Sequence, residues 1–194
     1  MNTGIVAVRY AKALLGYADD KAVDGEVYQY MKVLCHSYQH TPALRGAVDN
    51  RLLDVAQRSG VLWTACGGDP RVPPDETMDP ASGVLGRFFT LLLRQNRADL
   101  MQSVALQYID LYRQAHHIIY GMLVTPVAVD KATAFRAEAL LRSRAIENGT
   151  IELEYAIDPQ LIGGFRLETD REVLDVSVAA ALQRARKAWH IAYD

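Results

Sequence analysis

The spacing of apolar residues changes near residue 117, and this switch constrains the chain more than any other feature. Before it, apolar side chains recur at intervals of three and four, as in Val27, Met31, Leu34 and Tyr38, the spacing of one face of an α-helix. After it, Ile151, Leu153, Tyr155 and Ile157 alternate with Glu152, Glu154 and Ala156, the period of a half-buried strand. One sequence that obeys both rules in succession predicts a helical part followed by a mixed part. With 194 residues, each part is long enough to bury a workable core.

The helical part reads as six helices. Thr3 opens the first, which runs to about Asp19, and Asp24 opens the second. Thr41-Pro42 starts a short third helix to about Asp49, with a capping hydroxyl followed by proline at the first helical position. Leu52, Leu53 and Val55 to Leu62 suggest a fourth. Gly67 to Pro80 holds four prolines and no period, so it is a loop. Ser82 caps the fifth helix, through Gln95, with Asn96 as a left-handed stop. The sixth runs from Ala98 to about His117.

Ile118–Val127 then reads as a strand, Asp130–Glu147 as a helix ended by Asn148-Gly149, and Thr150–Ile157 as a second strand. Phe165–Glu168 and Glu172–Leu174 flank a hairpin turn at Thr169-Asp170-Arg171. Ser177 caps a last helix, with Val178, Leu182, Ala185 and Trp189 expected to face inward. The predicted fold class is α plus α/β: an N-terminal six-helix bundle, residues 1–117, and a small C-terminal β-α-β-β-β-α domain, residues 118–194.

Composition narrows the function. Lys and Arg total 21 against 23 Asp and Glu, a net charge of −2, which lacks the basic excess of a nucleic-acid binder. The two cysteines, Cys35 and Cys66, are too few for a disulfide framework and suit a reducing compartment. The densest apolar run, Phe88–Leu93, is bounded by Arg87 and Arg94 and falls far short of the roughly 20 residues a spanning helix needs. No signal-peptide or transit-peptide pattern opens the chain, so the protein is expected to stay where it is made. Nucleotide-cradling glycine loops, nucleophile elbows and paired-histidine zinc motifs are all missing. His36 and His40 share a helix face beside Cys35 without an evident third ligand, and His116-His117 read as a solvated helix end. Glu152 and Glu154 share a strand face that alternation places in solvent. Gly163-Gly164 lies between strands and reads as backbone needing positive φ or close approach. The chain therefore reads as non-catalytic, with no cofactor and no metal.

Helical wheels give the positive signal. On the first helix Arg9, Lys12, Gly16 and Asp19 form a narrow polar sector. Val6, Tyr10, Ala13, Leu14 and Tyr17 form an apolar stripe that Ala7, Val8, Ala11, Leu15 and Ala18 continue, over an arc of about 220° where an ordinary surface helix needs little more than 100°. The fifth helix repeats this with Val84, Leu85, Phe88, Phe89, Leu91, Leu92 and Leu93. Two such helices are either central in their bundle or walls of a groove for a partner helix.

Particular motifs carry a family resemblance. Arg9-Tyr10-Ala11-Lys12-Ala13-Leu14 resembles the opening motif of the delta subunits of F-type ATP synthases, the bacterial counterparts of the mitochondrial oligomycin-sensitivity-conferring protein. Leu92-Leu93-Arg94-Gln95-Asn96-Arg97 is similar to that family's turn between helices five and six. The set Asp158-Pro159-Gln160-Leu161-Ile162-Gly163-Gly164, then Asp175-Val176-Ser177, completes the resemblance, with Asp158, Gly163, Gly164, Asp175 and Ser177 as its structural motif. The departures are Val176 where the family usually has glycine, a longer Gly67–Ala81 loop, and Thr125-Pro126 after the first strand.

The resemblance implies a stator subunit of a proton-translocating ATP synthase, on the cytoplasmic face of a bacterial inner membrane, peripheral and not inserted. It implies that the helical domain holds the N-terminal helices of alpha subunits in a groove between helices one and five, with Tyr10, Ala11, Leu14, Phe88 and Leu92 lining it. It also implies that the C-terminal domain holds b-type peripheral-stalk subunits, with the Gly163-Gly164 loop and the last helix as candidates. The competing readings are an unrelated helical adaptor and a small enzyme with a concealed site.

Overall fold

A computed structural model describes residues 3–74, 79–129, 131–142, 150–169 and 172–191. The described residues form eight α-helices and a four-stranded sheet, and divide into two compact units, Met1–Tyr112 and Arg113–Asp194. The division falls inside the sixth helix, a few residues before the change of period at 117.

The first unit contains α1 (Thr3–Asp20), α2 (Asp24–His40), α3 (Ala43–Asp49), α4 (Val55–Ala65), α5 (Pro80–Arg94) and most of α6 (Met101–Ala115). Local chemistry sets their ends. α4 begins at a capping box: the Asp54 carboxylate accepts from the Gln57 backbone N–H at 2.6 Å while the Gln57 side chain accepts from the Asp54 N–H at 3.1 Å. α5 starts earlier than Ser82. Asp79 is its cap, accepting from the Ala81 N–H at 3.0 Å, because Pro80 is preset for the first helical position. Ser82 is instead buried in the first turn, donating to the Asp79 carbonyl. α3 likewise begins at Ala43, with no side-chain cap. α5 ends as expected at Asn96, whose φ of 53° lets the Asn96 and Arg97 N–H groups return to the Leu93 and Leu92 carbonyls.

These helices enclose one apolar interior that includes Ala7, Ala11, Leu14 and Ala18 of α1, Met31 and Leu34 of α2, Leu62 of α4, Phe89 and Leu92 of α5, and Val104 and Tyr108 of α6. Alanine on the inner face of α1 lets neighbouring backbones approach closely. The Tyr108 hydroxyl, deep in this interior, donates to the Asp24 carbonyl.

The second unit contains β1 (Ile118–Thr125), α7 (Lys131–Arg142), β2 (Thr150–Ile157), β3 (Arg166–Thr169), β4 (Val173–Asp175) and α8 (Val178–Ile191). Strand order is β2-β1-β3-β4; β1 and β2 run parallel across the α7 crossover, and the other pairings are antiparallel. β1 stops at Thr125, where the Thr125 hydroxyl donates to the Val127 carbonyl and Pro126 can offer no ladder N–H. Register puts Ile119, Leu123, Ile151, Leu153, Leu167 and Leu174 on one face. Ala137 of α7 packs with them. The expected Asp130 cap, the end of α7 through Glu147, Asn148-Gly149 and the Asp170-Arg171 part of the hairpin turn lie outside the described residues.

The opposite sheet face corrects one expectation. Glu152 and Glu154 are half-buried rather than solvated, because Arg113 comes down on that face. Its guanidinium lies 3.8 Å from the Tyr120 ring centroid and 3.5 Å from the Glu152 carboxylate, and the Tyr120 hydroxyl donates to Glu154 at 2.8 Å. Period-two alternation identifies the face and cannot tell what covers it.

Candidate partner-docking surfaces

In the first unit, α1 and α5 lie antiparallel. The Tyr10 hydroxyl donates to the Gln95 side-chain oxygen near one end, with the Arg97 guanidinium 5.6 Å from the Tyr10 ring centroid. Near the other end, Arg87 donates to the Tyr17 hydroxyl at 2.9 Å. Between these two latches the register brings exposed Ala13 and Leu91 to the outer surface, Leu91 with 46% of its area open. Of the five residues predicted to line this groove, Tyr10 is half-exposed on the seam. Ala11, Leu14, Phe88 and Leu92 are buried beneath it in the common interior. The five thus lie on α1 and α5, four of them buried in the interior and one on the seam.

Sequence reasoning passed over a neighbouring feature. A cleft of about 950 Å³ lies on the other side of α5, between it and α4, with Trp63, Val72, Pro73, Pro74, Arg87 and Leu91 among its walls. The 67–74 segment forms one of its borders. The Trp63 indole N–H donates to the Val72 carbonyl, and a Cβ at Gly86 would come within 2.9 Å of Pro74. Two glycines inside α5, Gly83 and Gly86, were the available signal, since glycine in a helix interior costs stability unless something packs close.

Nearby titratable groups show the same interior character. Burial, and then the Asp79 carboxylate that accepts its hydroxyl hydrogen at 3.0 Å, push the Tyr30 phenol up to about 12. Cys35 and Cys66 are buried thiols, and burial raises that of Cys66 far above its ordinary range. The His36 and His40 rings stack at 3.9 Å, with His40 Nδ1 2.9 Å from the His36 carbonyl. Among the described residues no group of three or more His, Cys, Asp or Glu is placed to hold a metal ion.

In the second unit the motif residues build the connection into α8. Asp158 caps the 3-10 turn Pro159–Leu161 by accepting from the Gln160 N–H at 3.0 Å. Gly164 has φ of 73°, and a Cβ there would meet the Val176 carbonyl oxygen at 2.4 Å, so it meets both conditions read from the sequence. Gly163 accepts from the Val178 N–H at 3.0 Å. The Asp175 carboxylate accepts from the Ser177 N–H, and the Ser177 hydroxyl caps α8 by accepting from the Ala180 N–H at 3.1 Å. Hydrogen bonding from the Ser177 side chain, and then from its backbone N–H, holds the Asp175 carboxyl below its ordinary range. Val176, where the family pattern has glycine, fits this turn with its N–H donating to the Phe165 carbonyl.

α8 itself overturns an expectation. Val178, Leu182, Ala185 and Trp189 face outward, Leu182 with 54% and Trp189 with 74% of their areas exposed. The helix turns Ala179 and Ala180 toward its unit instead. A periodic apolar stripe gives one face of a helix, and the wheel is blind to which side the protein covers.

The chain thus carries a helical unit with an apolar seam and a small α/β unit whose last helix has an exposed apolar stripe. A family model described as ATP synthase delta (OSCP) subunit matches residues 6–188. The ATP synthase subunit delta of Bacteroides thetaiotaomicron is 36% identical over 189 residues, covering 96% of this chain and 95% of the relative. That of Parabacteroides distasonis is 36% identical over 187 residues, covering 96% of each. A chain in the cryo-EM structure of the Toxoplasma gondii mitochondrial ATP synthase hexamer superposes with a TM-score of 0.61 at 25% identity, over 94% of this chain and 96% of that one. The chain belongs to the ATP synthase delta (OSCP) subunit family. It is a non-catalytic, peripheral-stalk component of that complex. No helix among the described residues is long and apolar enough to cross a membrane.

Proposed function

We propose that the two units are the two ends of a clamp: the six-helix bundle grips the catalytic headpiece and the β-α-β-β-β-α domain grips the b-type stalk. The N-terminal helix of an alpha subunit lies along the α1–α5 seam, against Tyr10 and Leu91, over the floor made by Ala11, Leu14, Phe88 and Leu92. The α8 stripe takes a stalk helix. The chain performs no bond chemistry. It holds the headpiece against rotor torque so that rotation becomes conformational change in other subunits, and it works as a peripheral protein at the cytoplasmic face of a bacterial inner membrane.

The observation that carries this reading is the pair of latches, Tyr10–Gln95 and Tyr17–Arg87, bracketing an apolar window at Ala13 and Leu91. Apolar burial suits a joint that must dissociate slowly, since exposed ion pairs contribute little. Titration of the full chain with a peptide of the alpha subunit's N-terminal helix tests it. Leu91→Glu is expected to weaken binding at least tenfold, a loss of about 1.4 kcal/mol, with the melting temperature unchanged. Equal affinity for both proteins would break the seam assignment.

A further inference from the structure

Ile162 adopts φ of 65° and ψ of −41°, and the Gly163 N–H donates to the Leu161 carbonyl at 2.7 Å across it. This is a γ-turn of the positive-φ kind, rare and strained in any L-residue and most costly for a β-branched one. Its surroundings force it. On one side Leu161 is buried and Asp158 caps the preceding turn; on the other the Gly163 carbonyl accepts from Val178 and Gly164 is pressed against Val176.

Among the described residues nothing accounts for isoleucine there. The side chain is 67% exposed, so it is not filling the core. Two glycines follow immediately, and glycine at 162 would take the turn without steric cost. Backbone strain that survives at such a position marks a side chain used for something outside the fold. The turn sits at the N-terminal end of α8, where Gly163 touches Val178, the first member of the exposed stripe.

We propose that Ile162 is an anchor of the α8 docking surface, fixed in solvent by the γ-turn so that it, Val178, Leu182 and Trp189 together receive one acidic amphipathic helix. This rests on the reading of α8 as the stalk-binding element. The occupant's charge follows from complementarity: α8 carries no acidic residue, and exposed Arg186 borders the stripe, while Arg184, farther round the helix, acts on Asp175. The nearby Asp175 is already engaged with Ser177. A helix with an aliphatic stripe flanked by glutamate and aspartate satisfies both features. A pre-set anchor loses no conformational freedom on binding, which favours slow release.

The test is calorimetric binding of the purified C-terminal segment of the synthase's b-type stalk subunit to the full chain and its variants. Leu182→Glu probes the stalk reading; Ile162→Ala and Ile162→Gly probe the anchor. The expected result is loss of binding for Leu182→Glu and a dissociation constant raised about tenfold for both Ile162 variants. Ile162→Gly should melt no lower than wild type, since it also releases the strained turn. If Leu182→Glu abolishes binding while both Ile162 variants stay within about twofold of wild type, the anchor is wrong and the stalk reading stands. If affinity falls only in step with the melting temperature, Ile162 is structural and the proposal fails. If wild type does not bind the segment, the stalk reading falls and the anchor falls with it.

Discussion

The two units spend their apolar residues in opposite ways. The helical unit encloses thirty buried apolar side chains in a single cluster, while the strictly buried part of the cluster under the C-terminal sheet is Leu123, Ala137 and Leu167. Conversely, ten of the sixteen large apolar side chains left exposed among the described residues belong to the C-terminal unit. A helix packed on all sides can be apolar nearly all round, as α1 and α5 are. A four-stranded sheet with one helix on its apolar face cannot enclose as much, and its remaining apolar surface is available to another chain. The contrast separates a unit that gathers its apolar residues into one interior from a unit that leaves most of its large ones at the surface.

Three measurements would sharpen or break this contrast. The largest effect is expected from Phe89→Ala, which empties a fully buried site in α5; urea denaturation should show a loss of about 3–5 kcal/mol. A loss below about 1 kcal/mol would mean that the interior of the helical unit is not close-packed. An intermediate effect is expected at alkaline pH. Tyr30 is pushed up to about 12, and burial raises Tyr38 and Tyr108 further, so the folded state resists losing these protons more than the unfolded chain does. Their stabilising contribution is complete below the ordinary tyrosine value near 10 and drains away as pH rises toward and past 12. The melting temperature should therefore fall steeply above pH 10, read by circular dichroism at the helical band. A flat profile from pH 9 to about 11.5 would show that these phenols are not held in the interior. The smallest effect is expected from Leu182→Ser, which removes an exposed member of the α8 stripe. It should change stability by less than about 0.5 kcal/mol, whereas a core leucine would cost several. A large loss would mean that α8 is packed inward after all.

Much of this was readable from residue order. Spacing located the helices, and Asn96 as a left-handed stop follows from asparagine's tolerance of that conformation. Wide apolar arcs singled out α1 and α5, and the family resemblance implied the groove between them. What was lost had physical reasons. Ser82 looked like the fifth helix's cap because serine suits that role, but Asp79-Pro80 upstream supplies both the acceptor and the preset φ. The outward turn of Leu182 and Trp189 is invisible to a wheel, which gives a stripe and no direction. Glu152 and Glu154 are drawn out of solvent by Arg113, almost forty residues away, which no local pattern announces. Ile162 was the hardest, because a β-branched residue argues against positive φ, and only the neighbouring glycines hinted at a tight passage.

Among the described strands, β2 is an outer one, paired only with β1. Its eight residues offer a row of backbone groups to any extended chain, which is the ordinary route to sheet-to-sheet aggregation. A second molecule pairing there would bring Glu152 and Glu154 toward their own copies at a half-dry surface, where like charges repel strongly. The acids that close over Arg113 therefore also guard the free edge, and the chain is discouraged from polymerising with itself.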